Sequence, residues 1–258
     1  MFKFLLLLLI LIGIPGYALE SHRANYILSL YKSTPGSGIN EIDGKSSYIL
    51  SKNCNGWDTT DELSVVFQSI DNVKSTLSSK WKTFETFSGN SYQFDLDEEI
   101  NQKKTNQFFG YINSSNGLNS AKYFSDKEYS VPIETKIEFP VMQLQNIILS
   151  AEANQKIYSS NVFMGSELLD SYRVVTVIIG KEKKYNKRIF QNELFQNSYW
   201  PVSIAYFNPK QETDKPDYTI KAKLQRNGVI SEYIIFYDDF SIILNLSSIE
   251  GIDKKNCD

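Results

Sequence analysis

The chain has 258 residues, 41% of them hydrophobic and 14% aromatic, with a formal net charge of −3. That length admits one all-β domain or two small domains, and so mild an acidity excludes an electrostatic nucleic-acid binder, which is normally clearly basic. One histidine and two cysteines in the whole chain exclude a metal site built on two histidines.

The N-terminus reads as an export signal. Lys3 precedes an apolar run from Phe4 to Ile14 broken only by Gly13, and Gly16-Tyr17-Ala18 supplies small residues at −3 and −1 of a cleavage site. The run falls short of the roughly 20 residues a membrane-spanning helix needs. Residues 1–18 are therefore expected to be a cleaved signal peptide and 19–258 one mature, exported, non-spanning domain. Removing Lys3 with the leader takes the net charge to −4.

Strand signals then follow one another. Tyr26, Leu28 and Leu30 alternate, Thr34 to Gly38 is a turn, and Ile39 to Ser51 returns, with Gly44 read as a bulge. Leu63–Ile70, Trp81–Phe87 and Ser91–Leu96 are rich in β-branched and aromatic residues. Shorter strands are expected at Asn106–Ile112 and Ala121–Phe124, joined by a turn over Asn113–Gly117. The one strong helix follows Phe139-Pro140: proline suits a first helical turn, and Val141, Leu144, Ile147, Ile148 and Ala151 share one face. That face predicts a helix packed on the sheet.

β character returns at Tyr172–Ile179, and the basic run Lys181–Arg188 reads as a solvated hairpin tip. Trp200, Val202, Ile204 and Tyr206 alternate, as do Tyr218, Ile220, Ala222 and Leu224. Asn227-Gly228 is a two-residue hairpin signal, Ile230–Tyr237 returns, Asp238-Asp239 marks a corner, and Phe240, Ile242, Leu244 and Leu246 form the last strand. No repeat or linker interrupts this, so one antiparallel β-domain, closed or nearly closed, fits best.

Little here asks for catalysis. A Ser-His-Asp or Cys-His nucleophile would have to use His22, whose place at the start of the first strand suits capping or a surface hydrogen bond. No Gly-x-Ser-x-Gly elbow or Gly-rich phosphate loop occurs, and no catalytic, metal-binding or cofactor-binding residue is assigned and no cofactor is required. Asp95–Glu99 lacks the alternating ligands and glycine of a calcium loop and reads as a solvated acidic turn. Any two of thirty acidic residues could converge for glycoside cleavage, but none stands out. Trp57 reads as core in preference to a ligand-stacking residue. Two cysteines in an exported chain favour a disulfide over two free thiols.

Several stretches together resemble the cell-envelope integrity protein B family. They are Ser21-His22-Arg23-Ala24 with Tyr26, Leu28 and Leu30; Cys54-x-Gly56-Trp57; and Phe139-Pro140. Near the end come Pro216-Asp217-Tyr218, Asn227-Gly228-Val229, Tyr237-x-Asp239-Phe240 and Cys257. The resemblance implies a periplasmic protein of mainly β class: a single antiparallel open β-barrel of spiral type, about fourteen strands around one central helix. It also implies a Cys54–Cys257 disulfide and a role in envelope integrity without an established catalytic activity. Two positions depart from the family pattern, Gln143 for a histidine and Met164 for an aspartate. The leading expectation is a non-enzymatic protein that supports the envelope through a periplasmic protein partner. The alternatives are a carrier for a lipid or cell-wall fragment and, more weakly, an envelope hydrolase.

Overall fold

The computed structural model describes residues 19–113, 119–133, 135–169, 171–187, 189–211, 213–253 and 257. The signal-peptide assignment (1–18) and most of the Asn113–Gly117 turn lie outside them, as does Arg188 of the basic run.

The chain runs as eight strands, a helix and seven more strands. They are β1 (His22–Ser33), β2 (Ile39–Lys52), β3 (Gly56–Ser69), β4 (Lys74–Thr86), β5 (Ser91–Ile100), β6 (Lys103–Asn113), β7 (Asn119–Phe124), β8 (Glu128–Ile133), α1 (Pro140–Glu152), β9 (Ile157–Val162), β10 (Arg173–Ile179), β11 (Lys183–Lys184), β12 (Ser198–Phe207), β13 (Tyr218–Leu224), β14 (Ile230–Phe236) and β15 (Phe240–Gly251). Fourteen of these strands form one antiparallel sheet in the order 8-7-6-5-4-3-2-1-15-14-13-12-10-9, with β11 attached to β12. The first eight strands wind outward from β1 to one edge, β8; β15 pairs back onto β1 and the rest wind to the other edge, β9. The sheet curls without closing, and a parallel bridge from Glu138 to Val162 spans part of the gap. The open, mainly β barrel with one helix is thus present.

Alternation along each strand decides what faces inward. Trp57, Thr59, Asp61, Leu63 and Val65 of β3 stand opposite Glu85, Thr83, Trp81, Ser79 and Leu77 of β4, all on the concave side. Opposite Glu85, Thr83 and Trp81 stand Tyr92, Phe94 and Leu96 of β5. Helix α1 enters this lumen. Val141, Ile147, Ile148 and Ala151 join Leu50, Trp57, Val175, Val177, Trp200, Val202, Ala222 and Leu224 in one apolar cluster. A second cluster joins β1, β2 and β15 around Tyr26, Leu28 and Leu244, and a third, aromatic one gathers Tyr92, Phe94, Tyr123, Phe139 and Phe163.

The structure corrects several sequence expectations. Asp95–Glu99 is not a turn: it lies within β5, where Asp95 and Asp97 face Lys82 and Lys80 across β4 and Asp97 meets Lys104 of β6. Opposite charges placed directly across a ladder make an acidic strand tolerable. Gly44 is not a bulge, since β2 keeps register with both neighbours there. Its missing side chain admits β3, because a Cβ would fall 2.5 Å from the Ser64 carbonyl oxygen. Asn227-Gly228 is not a two-residue turn: it sits in a longer one in which Gln225 N–H donates to Val229 O and only Gly228 has positive φ. The basic run is not a free hairpin tip, because Lys183 and Lys184 pair with β12 and Tyr185 packs against Phe195. Strands β8 and β9 escaped the sequence reading. Each is short, and Pro132 in one and Ser159-Ser160 in the other dilute the pattern.

Candidate functional site

The two ends of the lumen are built differently. One end, which is closed, carries most of the motifs that the sequence singled out, Pro216-Asp217-Tyr218 and Tyr237-x-Asp239-Phe240 lying at the other. Asn53 folds the β2–β3 turn by accepting hydrogen bonds from the Asn55 and Gly56 N–H groups at 2.9 Å each. Gly56 lies against β4 so closely that a Cβ would stand 2.0 Å from the Glu85 carbonyl oxygen. Ser21 Oγ accepts from Lys52 N–H at 2.9 Å, and Arg23 pairs with Glu250 at the exposed rim. Asn227 donates to the Leu194 carbonyl at 2.8 Å, and its own carbonyl accepts from Glu20 N–H. Cys54 and Cys257 are disulfide-bonded, their Cα atoms 5.4 Å apart, so the chain's end is tied to the same rim.

His22 belongs to this end and is buried, not a surface residue as expected. Its Nδ1 lies 2.7 Å from the Glu20 carbonyl oxygen, and burial lowers its pKa. Trp57 is 3% exposed and sits in the core against α1, edge-on to Phe87. Phe139 is buried and stacks on Tyr92 at 4.7 Å between ring centroids.

Phe139 poses a problem that the barrel solves. It is the N-cap of α1 and has no side-chain acceptor for the first free N–H groups. Glu85 of β4 supplies both: its two carboxylate oxygens accept from Val141 N–H and Met142 N–H at 2.9 Å each. A carboxylate is also the charge that a helix N-terminus favours. Burial nonetheless pushes Glu85 up to about 7, the two helix N–H groups pull the other way, and nearby Glu138 adds to the rise. Glu138 is held by Asn146 and the Tyr158 hydroxyl. At the far end of α1, Asn154 takes the left-handed conformation that terminates helices.

The opposite end is a mouth. Inward-facing Leu63, Phe67, Leu77 and Trp81 on one wall, and Tyr218, Ile220, Tyr233 and Ile235 on the other, are each only half-buried. Polar groups form its floor. Asp61 stands directly between Tyr48 and Trp81 in register across β2, β3 and β4. Ser46 Oγ donates to Asp61 at 3.4 Å, and Tyr26 OH donates to the Ile230 carbonyl at 2.9 Å. Burial pushes Asp61 up to about 6, with Ser46 opposing and Glu62 adding. Burial likewise raises Tyr26, Tyr48 and Tyr233, and the Asp61 charge adds to each. The Nε1 of Trp81, like those of Trp57 and the Gln143 amide deeper in, is buried without a hydrogen-bond partner.

The lumen is acidic. Asp61, Glu85 and Glu98 face inward, whereas the lysines in inward phase on β1–β6 lie at the two ends, Lys52 beside Trp57 and Lys103 opposite Ile100, and neither α1 nor the inward positions of β12–β15 carry Lys or Arg. The inward arginine of β10, Arg173, is tied to Glu167 and Asp217 at 3.3 Å each. Among the described residues no group of three or more His, Cys, Asp or Glu could hold a metal ion, and no helix is long and apolar enough to cross a membrane.

Sequence reading missed Asp61 and Glu85. The signal was there in the phase: each falls on the inward beat of an alternating strand, where an apolar residue is the norm. Of the two departures, Gln143 lies buried on α1, and Met164 lends its carbonyl to the Tyr92 hydroxyl at 2.7 Å.

On the convex face, Phe109 and Phe124 stack at 4.9 Å with Tyr111 beside them, and Phe109 is 56% exposed. This stack lies on β6 and β7, one strand from the free edge β8.

Comparison with known proteins follows this geometry. The profile of the EipB-like family matches residues 15–253. The cell envelope integrity protein EipB of Brucella abortus (strain 2308) is 27% identical over 247 residues, which cover 93% of this chain and 88% of that protein. A crystal structure from Brucella abortus, described as a β-barrel-like protein of a domain of unknown function, superposes with a TM-score of 0.87 at 27% identity. It covers 92% of this chain and 100% of that one.

Proposed function

This chain belongs to the EipB-like family, and from that premise we propose that it is an exported, periplasmic protein that supports cell-envelope integrity by binding a protein partner, without turning over a substrate. The relative's role in envelope integrity and the disulfide both support this reading. The observation that carries the partner step is the Phe109–Phe124–Tyr111 stack. Stacked aromatic rings left in water on the outside of a barrel, beside a free sheet edge, suit a partner that offers an apolar surface. The double change Phe109→Ser with Phe124→Ser tests it in cells lacking the native protein. Loss of growth under detergent or cell-wall antibiotic stress, at an unchanged periplasmic level of folded protein, is the expected result. Full resistance would remove this face from the function.

A second reading is favoured by the half-buried mouth: the lumen holds a small amphiphile, making the protein a carrier or a ligand-dependent binder. Cleavage of the leader after Ala18 belongs to both readings, and N-terminal sequencing of the periplasmic form checks it.

A further inference from the structure

We propose that the mouth of the lumen is a binding site selective for non-anionic amphiphiles, with an apolar chain along Leu63, Leu77, Ile220 and Ile235 and a hydrogen-bonding head at Asp61, Tyr48 and Tyr233. This rests on the second reading above and deepens it by naming the class of ligand.

Three observations converge on it. The wall residues are apolar, face inward and keep part of their surface in water, which a closed core does not allow. The floor presents a carboxyl group, the Ser46 and tyrosine hydroxyls and, in the same row as Asp61, a Trp81 indole N–H with no partner. A buried donor left unpaired in the protein suits an incoming oxygen. Finally, the charge at the floor is of one sign, since the inward-phase lysine of this side, Lys103, lies at the exposed rim opposite Ile100, two rows above Asp61. Asp61 lies at the floor and Glu98 in the row above, while lysines such as Lys80, Lys82 and Lys221 sit on the convex side. Arg173 is neutralised by its two carboxylate partners. A phosphate or carboxylate head at the floor would sit in a low-dielectric acidic space with no cation in its own row or the next, a repulsion that burial strengthens. A hydroxylated or an ammonium head meets no such barrier, and the two differ in how much they need the Asp61 charge.

The test uses the purified mature chain with its disulfide intact. Three probes, each below its micelle concentration, are titrated by calorimetry: octyl glucoside (uncharged), decylamine (cationic) and decanoate (anionic). Saturable binding of the first two is expected, with decanoate at least about tenfold weaker. Leu63→Arg puts a long cation on the wall, where a half-buried site lets its head reach water. It should weaken octyl glucoside and decylamine by about tenfold and bring decanoate level with them. Asp61→Asn should weaken decylamine by about tenfold more than it weakens octyl glucoside, because an amide still hydrogen-bonds a hydroxyl but offers an ammonium no charge. If Leu63→Arg fails to fold, Ile220→Lys on the opposite wall replaces it. Decanoate binding as tightly as octyl glucoside in the parent would overturn the selectivity and leave the lumen reading standing. Binding that is indifferent to both wall substitutions, or absent for all three probes, would overturn the lumen reading itself.

Discussion

The closed end and the mouth of this barrel are made from the same strands, yet they obey different rules. At the closed end α1 fills the lumen, Leu50, Trp57 and Leu224 are sealed, and backbone approaches so closely that Gly56 has no room for a Cβ. At the mouth, Leu63, Leu77 and Ile235 occupy equivalent inward positions and remain half in water. α1 seals one end, whereas at the other Leu28, Ile42 and Val65 are sealed between strands alone and the residues around them stay half-exposed.

This contrast predicts where substitutions hurt. The largest effect is expected from Gly56→Ala, because the added carbon would stand 2.0 Å from a carbonyl oxygen of β4. Backbone must move and the β3–β4 ladder with it, at a cost of about 4 kcal/mol or more. The expected readout is loss of folded protein on expression; a variant of parental thermal midpoint would mean the two strands are not locked at this end. Next comes Cys257→Ser. The bridge joins residues 203 apart, and chain-entropy arguments allow up to roughly 5 kcal/mol for so long a loop. A thermal midpoint that drops, with the parent falling to the same value on reduction, is the expected pattern.

Much of the closed end was legible in the sequence, and little of the mouth was. Pro140 and the Cys54–Cys257 pair could be read because each answers a local or covalent demand, a helix start and an oxidising compartment, whereas Gly56 stood out only within the family resemblance and its close approach to β4 did not. Glu85 could not, since its partner is the start of a helix 56 residues away, beyond any periodicity. The same holds for Asp95–Glu99, whose charge looks solvated until β4 and β6 bring lysines beside it. The openness of the mouth was invisible for a further reason. Ile220 and Ala222 look alike in a strand pattern, and only the placement of α1 makes one half-exposed and the other buried.

The third prediction sets the two ends against each other by pH. Asp61 and Glu85 have folded pKa values of about 6 and about 7 against ordinary values of 3.8 and 4.5. An acid whose pKa rises on folding holds its proton better in the folded chain. Its contribution to stability is complete below the unfolded value and is lost as pH rises through the folded one. Stability should therefore fall between about pH 4 and pH 8, by on the order of 3 kcal/mol for Glu85. Urea unfolding at pH 5 and pH 8 measures the slope. Glu85→Gln should flatten it and cost about 1 kcal/mol at pH 5, since the amide NH2 turns a donor toward one helix N–H where the oxygen of the protonated carboxyl can still accept. An unchanged slope would detach Glu85 from the titration.

The smallest expected effect sharpens the comparison most, because it applies one chemical change to both ends. Leu50 and Leu77 both face the lumen, the first fully buried against α1 and the second half-exposed at the mouth. Leu50→Ala removes sealed atoms and leaves a cavity that the helix and Trp57 cannot fill, a loss of about 2–5 kcal/mol. Leu77→Ala removes atoms that water already touches, so no cavity forms and only part of the transfer free energy is lost, about 1 kcal/mol or less. Equilibrium unfolding of the two variants under one set of conditions gives the difference directly. If Leu77→Ala costs as much as Leu50→Ala, the mouth is as tightly packed as the closed end, and the space assigned to a ligand is not there. If it costs little, the same leucine can be tested for the ligand's grip: octyl glucoside, which should stabilise the parent through binding to the folded state alone, should stabilise Leu77→Ala less.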